Sequence, residues 1–169
     1  MKKIIIGTAF LVVSILILLI LKNAGFISGQ PKQKFTINGE IPLLTLEGDT
    51  VKLNGKNYPN KLILNFYGTG CSLCQAEIND IVSFSRDNKI NVLFITADSL
   101  EAIKQFKNEL YKQGINDERI SFAHVRLEDA KRFFGDVIVP QSIAFDNMLT
   151  VRASKKGLIS YSFLKKSYK

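Results

Sequence analysis

The stretch LILNFYGTGCSLCQAE, residues 62 to 77, constrains the fold more than any other part of the chain. It opens inside a nearly continuous apolar run, KLILNF at 61–66. A run that is apolar at successive rather than alternate positions predicts a central strand covered on both faces. Gly68-Thr69-Gly70 then breaks the run as a loop. Beyond it, Cys74, Ile78, Ile81, Val82 and Ser85 recur at helical spacing and form one apolar stripe. A covered strand running through a loop into an amphipathic helix is the opening of an α/β layered fold. The only two cysteines of the chain, Cys71 and Cys74, sit at that junction.

The remaining pattern extends this plan. IPLLTLEGDTVKL at 41–53 predicts two short strands around a turn at Glu47-Gly48-Asp49. INVLFITA at 90–97 is a second buried strand, and Leu100, Ile103, Phe106 and Leu110 make a helical stripe closed by Gly114. Ser72 with Gln75, and Asp98 with Glu101, have the spacing of capping boxes at the two helix starts. ISFAHV at 120–125 predicts a strand and EDAKRFFG a short helix. QSIAF and LTVRA flank Asp146-Asn147 as an antiparallel hairpin, and SYSFLKKSY forms a last helix. The fold class is therefore α/β, with helices on a mixed central sheet. The cysteines fall at a strand's carboxyl end, where functional sites gather in open α/β sheets.

The first residues carry a different signal. Ile4 to Leu21 is apolar and uncharged, preceded by Lys2 and Lys3. That is longer than the roughly 7–15 residues of a signal-peptide core, and about 18 apolar residues suffice to span a bilayer. We read residues 1–22 as an uncleaved membrane anchor, with a cleaved signal sequence as the alternative, ISGQ at 27–30 being a weak cleavage site. Such an anchor delivers the following domain to the outer face of a cell membrane, across a polar linker at 23–37. The net charge of +8 is concentrated late, with six Lys or Arg and no acid from Val151 to Lys169. No nucleic-acid recognition motif accompanies it, so it reads as a solvated basic surface, with anionic lipid as a second reading.

Three roles are open to the two thiols. A bridge across so short a loop hardly restricts the unfolded chain, so chemistry explains the pair better than stability does. A helix N-terminus lowers a thiol pKa through its unpaired N–H groups and dipole. Cys71 at that terminus is then the nucleophile, and Cys74, one turn on and facing the core, resolves the mixed disulfide. A closed zinc site needs four ligands, and His124, the single histidine, alternates with Ile120 and Phe122 as a strand-face residue. A copper(I) site built on the two thiols and His124 is the second possibility. A module whose thiols no longer cycle is the third. No cofactor is called for.

Three motifs, in order, carry a resemblance. NFYGTGCSLCQAE resembles the NFWATWC-x-x-C segment of membrane-anchored, extracytoplasmic thioredoxin-like oxidoreductases of the TlpA/ResA type. IPLLTLEGDTVKL is similar to that family's N-terminal hairpin, and FFGDVIVPQSIAFD to its proline-containing segment. The likeness runs from about Ile41 to Ala153. It implies a thioredoxin-like domain over 38–169, with the hairpin as an extension. It also implies protein disulfides as substrates, reduced more readily than formed, and a membrane redox partner that recycles the pair. Carried over by position, Pro140 is a cis-proline facing the disulfide, and Val139 pairs with substrate backbone. Glu77 is an acidic residue able to shuttle protons, although by spacing alone it is also a solvated charge at the stripe's edge. Gly70 stands where the family has tryptophan, Gln75 where it has a basic residue, and Asn79 where it has proline. These departures bear on the partner rather than on the chemistry.

Overall fold

The structure is a computed structural model that describes residues 41–54, 58 and 60–169. The anchor expected at 1–22 and the linker expected at 23–37 lie outside the described residues. Among the described residues, no helix is long and apolar enough to cross a membrane.

The strands and helices follow the predicted order. They are β1 (Ile41–Leu44), β2 (Thr50–Leu53), β3 (Leu62–Phe66), α1 (Ser72–Asn88), β4 (Asn91–Thr96), α2 (Leu100–Lys112), β5 (Ile120–His124), α3 (Leu127–Phe134), β6 (Gln141–Phe145), β7 (Val151–Lys156) and α4 (Tyr161–Ser167). The sheet has seven strands in the order β2-β1-β5-β4-β3-β6-β7. β3 runs parallel to β4, and β4 parallel to β5, each in full register. β6 lies antiparallel against the other side of β3, with Asn65 opposite Ser142. The sheet is mixed, as the pattern implies.

Chain direction explains the layering. Two successive crossovers, β3-α1-β4 and β4-α2-β5, step the same way across the sheet. Right-handed connections then place α1 and α2 on one face. There Ile78, Ile81, Ile103 and Phe106 pack with Ile63, Tyr67, Phe94 and Phe122, and α4 adds Leu164. α3 covers the opposite face through Ala130, against Leu62, Leu64, Phe66 and Ile95. All five residues of β3 are buried, which is what the KLILNF run requires.

Two turns show local chemistry at work. At Gly48 the backbone is left-handed (φ +97°), and the Thr45 amide donates to the Asp49 carbonyl at 2.8 Å. The β6–β7 connection differs from the two-residue turn read at Asp146-Asn147. It spans Asp146 to Thr150, because the Asp146 carboxylate accepts from the Met148 and Thr150 amides, both at 2.9 Å. Leu149 adopts φ +54° within it and is 3% exposed. Burying that leucine lengthens the turn.

Tyr67 occupies the centre of an aromatic cluster with Phe94, Phe106 and Phe122, at centroid distances of 5.8, 5.0 and 6.3 Å. Its hydroxyl is buried and has no hydrogen-bond partner among the described residues. Burial first, and the Asp98 charge second, hold the phenol above its usual pKa range. An unpaired buried hydroxyl costs free energy that a phenyl ring avoids. Tyr67→Phe therefore raises stability by about 1 kcal/mol, read as a higher urea midpoint with an unchanged slope. A lower midpoint contradicts this account of the hydroxyl.

Candidate active site

Cys71 is the N-cap of α1, with extended backbone (φ −87°, ψ 109°). Its sulfur accepts the Cys74 amide at 3.1 Å, and its carbonyl accepts the Gln75 amide at 3.2 Å. The cap is thus one residue earlier than the Ser72–Gln75 box predicts, and Ser72 is the first helical residue. That shift puts the Cys71 sulfur itself among the unpaired N–H groups of the helix start. Cys71 and Cys74 are joined in a disulfide with Cα atoms 5.3 Å apart. Cys74 is 1% exposed and belongs to the core, whereas Cys71 is half-buried, so Cys71 is the more accessible of the two cysteines.

The loop before Cys71 is held from two sides. The Thr69 amide and hydroxyl both donate to the Asp98 carboxylate, at 2.7 and 2.8 Å. Burial works against this carboxylate's charge. Hydrogen bonds from Thr69 and Thr96, with the His124 charge, nevertheless hold its pKa below the usual value. On the other side, a Cβ placed on Gly68 meets the Cys71 Cβ at 3.5 Å and Val139 Cγ2 at 3.9 Å. Both are ordinary van der Waals distances, so Gly68 lies beside Cys71 and Val139 without crowding that demands glycine. The Val139–Pro140 peptide bond is cis. Among the described residues, the Val139 amide and carbonyl make no hydrogen bond. Leu73, Ile138 and Val139, at 53, 55 and 46% exposure, give this region exposed apolar side chains. At Gly70 a Cβ meets nothing within 4 Å and the backbone is not left-handed. Crowding therefore does not demand glycine there.

Glu77 is 1% exposed, so of the two readings of it the solvated charge at the stripe's edge is set aside. It lies one turn beyond Cys74 on the buried face of α1. One carboxylate oxygen accepts from Asn65 Nδ2 at 2.7 Å, and the other from the Ile159 amide at 2.8 Å. Asn65 Nδ2 also donates to Ser142 Oγ at 2.8 Å. Burial raises the Glu77 pKa above the ordinary 4.5, opposed by the Ile159 and Asn65 hydrogen bonds and the Lys155 charge. His124 ends β5, with Nδ1 2.9 Å from the Asp98 carbonyl. Among the described residues, no three His, Cys, Asp or Glu side chains gather as a metal site.

No family model matches the sequence. No curated protein matches it either. Solved structures do match. StoA from Bacillus subtilis superposes with a TM-score of 0.58 at 14% identity, over 82% of this chain and 100% of that one. A DsbF homologue from Corynebacterium diphtheriae gives 0.65 at 20% identity, over 84% and 90%. A thiol:disulfide interchange protein of the thioredoxin family from Chlorobium tepidum gives 0.60 at 20%, over 84% and 99%. The fold is thioredoxin-like.

Within this thioredoxin-like domain, sequence reading found both cysteines but missed Asn65, Asp98 and Ser142. Asn65 was detectable as the one amide inside an apolar strand, since a buried amide needs polar partners. The Asp98–Glu101 spacing predicts a capping box, yet Ser99 is the cap of α2 and accepts the Ala102 amide at 3.3 Å. Asp98 is thereby free to hold Thr69.

The buried carboxyl has a pH signature. Because its folded pKa is raised, Glu77 keeps a proton in the native state at pH values where the unfolded chain has lost it. Stability from this group is full below about 4.5 and is lost as pH rises through the folded value. Glu77→Gln removes that loss. In thermal melts, the variant gains on the wild type as pH rises from about 4 to about 8. A constant offset between the two contradicts the raised pKa.

Proposed function

We propose that the protein is a thiol–disulfide oxidoreductase that reduces protein disulfides outside the cytoplasm. Residues 4–21 tether it to the membrane as a member of the TlpA/ResA type. One observation carries the reading: a disulfide joins a reachable helix-capping Cys71 to a core-facing Cys74. Two of the similar structures fit it, the Chlorobium protein being a thiol:disulfide interchange protein and the Corynebacterium protein a DsbF homologue.

The observed disulfide is then the product state of a reduction. In the reduced protein, the Cys71 thiolate attacks one sulfur of a substrate disulfide. A Cys71–substrate bond forms, the substrate S–S bond breaks, and the first substrate thiolate leaves. Cys74 loses its proton and attacks the Cys71 sulfur, restoring the Cys71–Cys74 bond and releasing the second substrate thiolate. Two electrons have passed from the pair to the substrate. A dithiol donor, here a membrane redox partner, must reduce the pair before the next cycle.

The surrounding residues take the following parts. The Cys74 amide at the Cys71 sulfur stabilises the attacking thiolate. Glu77, on the same buried face as Cys74, exchanges the proton that Cys74 gives up, and its charge opposes a second thiolate beside it. Val139 offers its unpaired backbone groups to an extended substrate segment, next to Pro140. Gly70 leaves the approach to Cys71 open.

Reduced full chain incubated with a model disulfide tests the scheme. Cys71→Ala abolishes turnover, and Cys74→Ala accumulates a mixed disulfide on Cys71, detected by mass spectrometry of the unreduced protein. Turnover that survives in Cys71→Ala sinks the proposal.

A further inference from the structure

Gly68, Thr69 and Gly70 carry the chain from the end of β3 towards α1. With Cys71 they form a four-residue turn, closed by the Cys71 amide on the Gly68 carbonyl at 3.0 Å. Two of the three have no side chain, so Thr69 is the one loop residue that a side-chain bond can hold. Its amide and hydroxyl both donate to a single oxygen, Oδ2 of Asp98, at 2.7 and 2.8 Å. Asp98 is itself fixed through its backbone. Its amide donates to Thr96 Oγ1 at 3.2 Å, and its carbonyl lies 2.9 Å from His124 Nδ1. Thr96 and His124 are the last residues of β4 and β5, so two strand ends grip the turn that delivers Cys71.

In the disulfide form Cys71 is also tied covalently to Cys74. Reduction removes that tie at the stage when the Cys71 sulfur must stay on the helix N-terminus to be a thiolate. The turn is then held by its own backbone bond and by Asp98. Burial opposes the charge of this carboxylate, yet the Thr69 and Thr96 bonds and the His124 charge hold its pKa below 3.8, so it is ionised wherever a thiol titrates. Its charge alone works against Cys71, since a carboxylate disfavours a second anion nearby. Position and charge therefore act in opposite directions, which makes them separable.

We propose that Asp98 is a positioning residue for Cys71, whose grip on Thr69 keeps the Cys71 sulfur at the helix N-terminus in the dithiol protein. Its consequence for turnover rests on the oxidoreductase reading, whereas the positioning itself does not. The other ionisable groups about the site are His124 at the Asp98 carbonyl, Tyr67 within reach of the Asp98 charge, and Glu77 beyond Cys74. All three are unchanged in the variants compared below.

The test is iodoacetamide alkylation of Cys71 in the reduced full chain, mapped by mass spectrometry from about pH 5 to about pH 10. Asp98→Ala removes both bonds and raises the apparent Cys71 pKa, so alkylation at about pH 6 slows by about 3- to 10-fold. Asp98→Asn removes the charge but keeps an oxygen able to take both Thr69 donors, and its Cys71 reacts at least as fast as that of the wild type. Thr69→Ala, with the charge intact, shifts the profile in the same direction as Asp98→Ala, and Thr69→Ser keeps the wild-type profile. Faster alkylation in both Asp98 variants makes the role one of charge and overturns the proposal. Unchanged profiles in Asp98→Ala and Thr69→Ala overturn it too, even where both melt lower, because the bonds then serve stability alone. Should Asp98→Ala not fold, the comparison of Thr69→Ala with Thr69→Ser decides in the same way. Asp98→Ala also slows reduction of a model disulfide. If the wild type reduces none, the oxidoreductase reading fails, while the alkylation rates still decide the role of Asp98.

Discussion

The placement of β3 governs the rest of the molecule. Its five buried residues are bonded on one side to β4 and on the other to β6, so no part of it faces water. Such a strand must end abruptly, because an unpaired backbone group inside the sheet is costly. The Tyr67 amide makes the last bond, to the Ile95 carbonyl at 3.1 Å. The chain then leaves through Gly68 and starts α1 within a few residues. The Cys71 sulfur is fixed at a helix N-terminus because β3 ends where it does.

Two polar anchors hold that junction from below and from the side. Beneath it, Asn65 joins Glu77 to Ser142, and the second Glu77 oxygen takes the Ile159 amide. One carboxylate thus ties α1 to β3 and to the segment before α4, with β6 linked through Asn65. Beside it, Asp98 at the end of β4 fixes Thr69. Charge-assisted bonds to backbone amides are among the stronger neutral-pH contacts available to a loop. They leave Cys71 held at its base while the surface around it, from Leu73 to Val139, stays exposed.

How far the chain could be read follows from the range of each interaction. β3, β4 and the stripes of α1 and α2 are legible because hydrophobic periodicity is local and each element buries its own face. The placement of the two thiols was legible for the same reason, since a strand end, a glycine loop and two cysteines are contiguous in sequence. The caps were misplaced by one residue. Ser72 and Asp98 are good cap residues by type, but side-chain type does not say which neighbour has the extended backbone, and it is Cys71 and Ser99 that do. For Glu77 it is the partners that local pattern does not show. Its partners Asn65 and Ile159 are 12 and 82 residues away, so only the assembled sheet shows that a buried carboxylate there is satisfied. The turn at Asp146 fell between these cases, because Leu149 packs in the core and overrides the local two-residue pattern.

The central claim is that position alone divides the two thiols into an attacking and a resolving sulfur. Alkylation of the reduced full chain with iodoacetamide across pH, mapped to each cysteine, measures this directly. The account predicts that Cys71 reacts first, with an apparent pKa below the ordinary value of about 8.5, while Cys74 is modified much more slowly. Equal rates at the two sulfurs, or faster modification of Cys74, would contradict it.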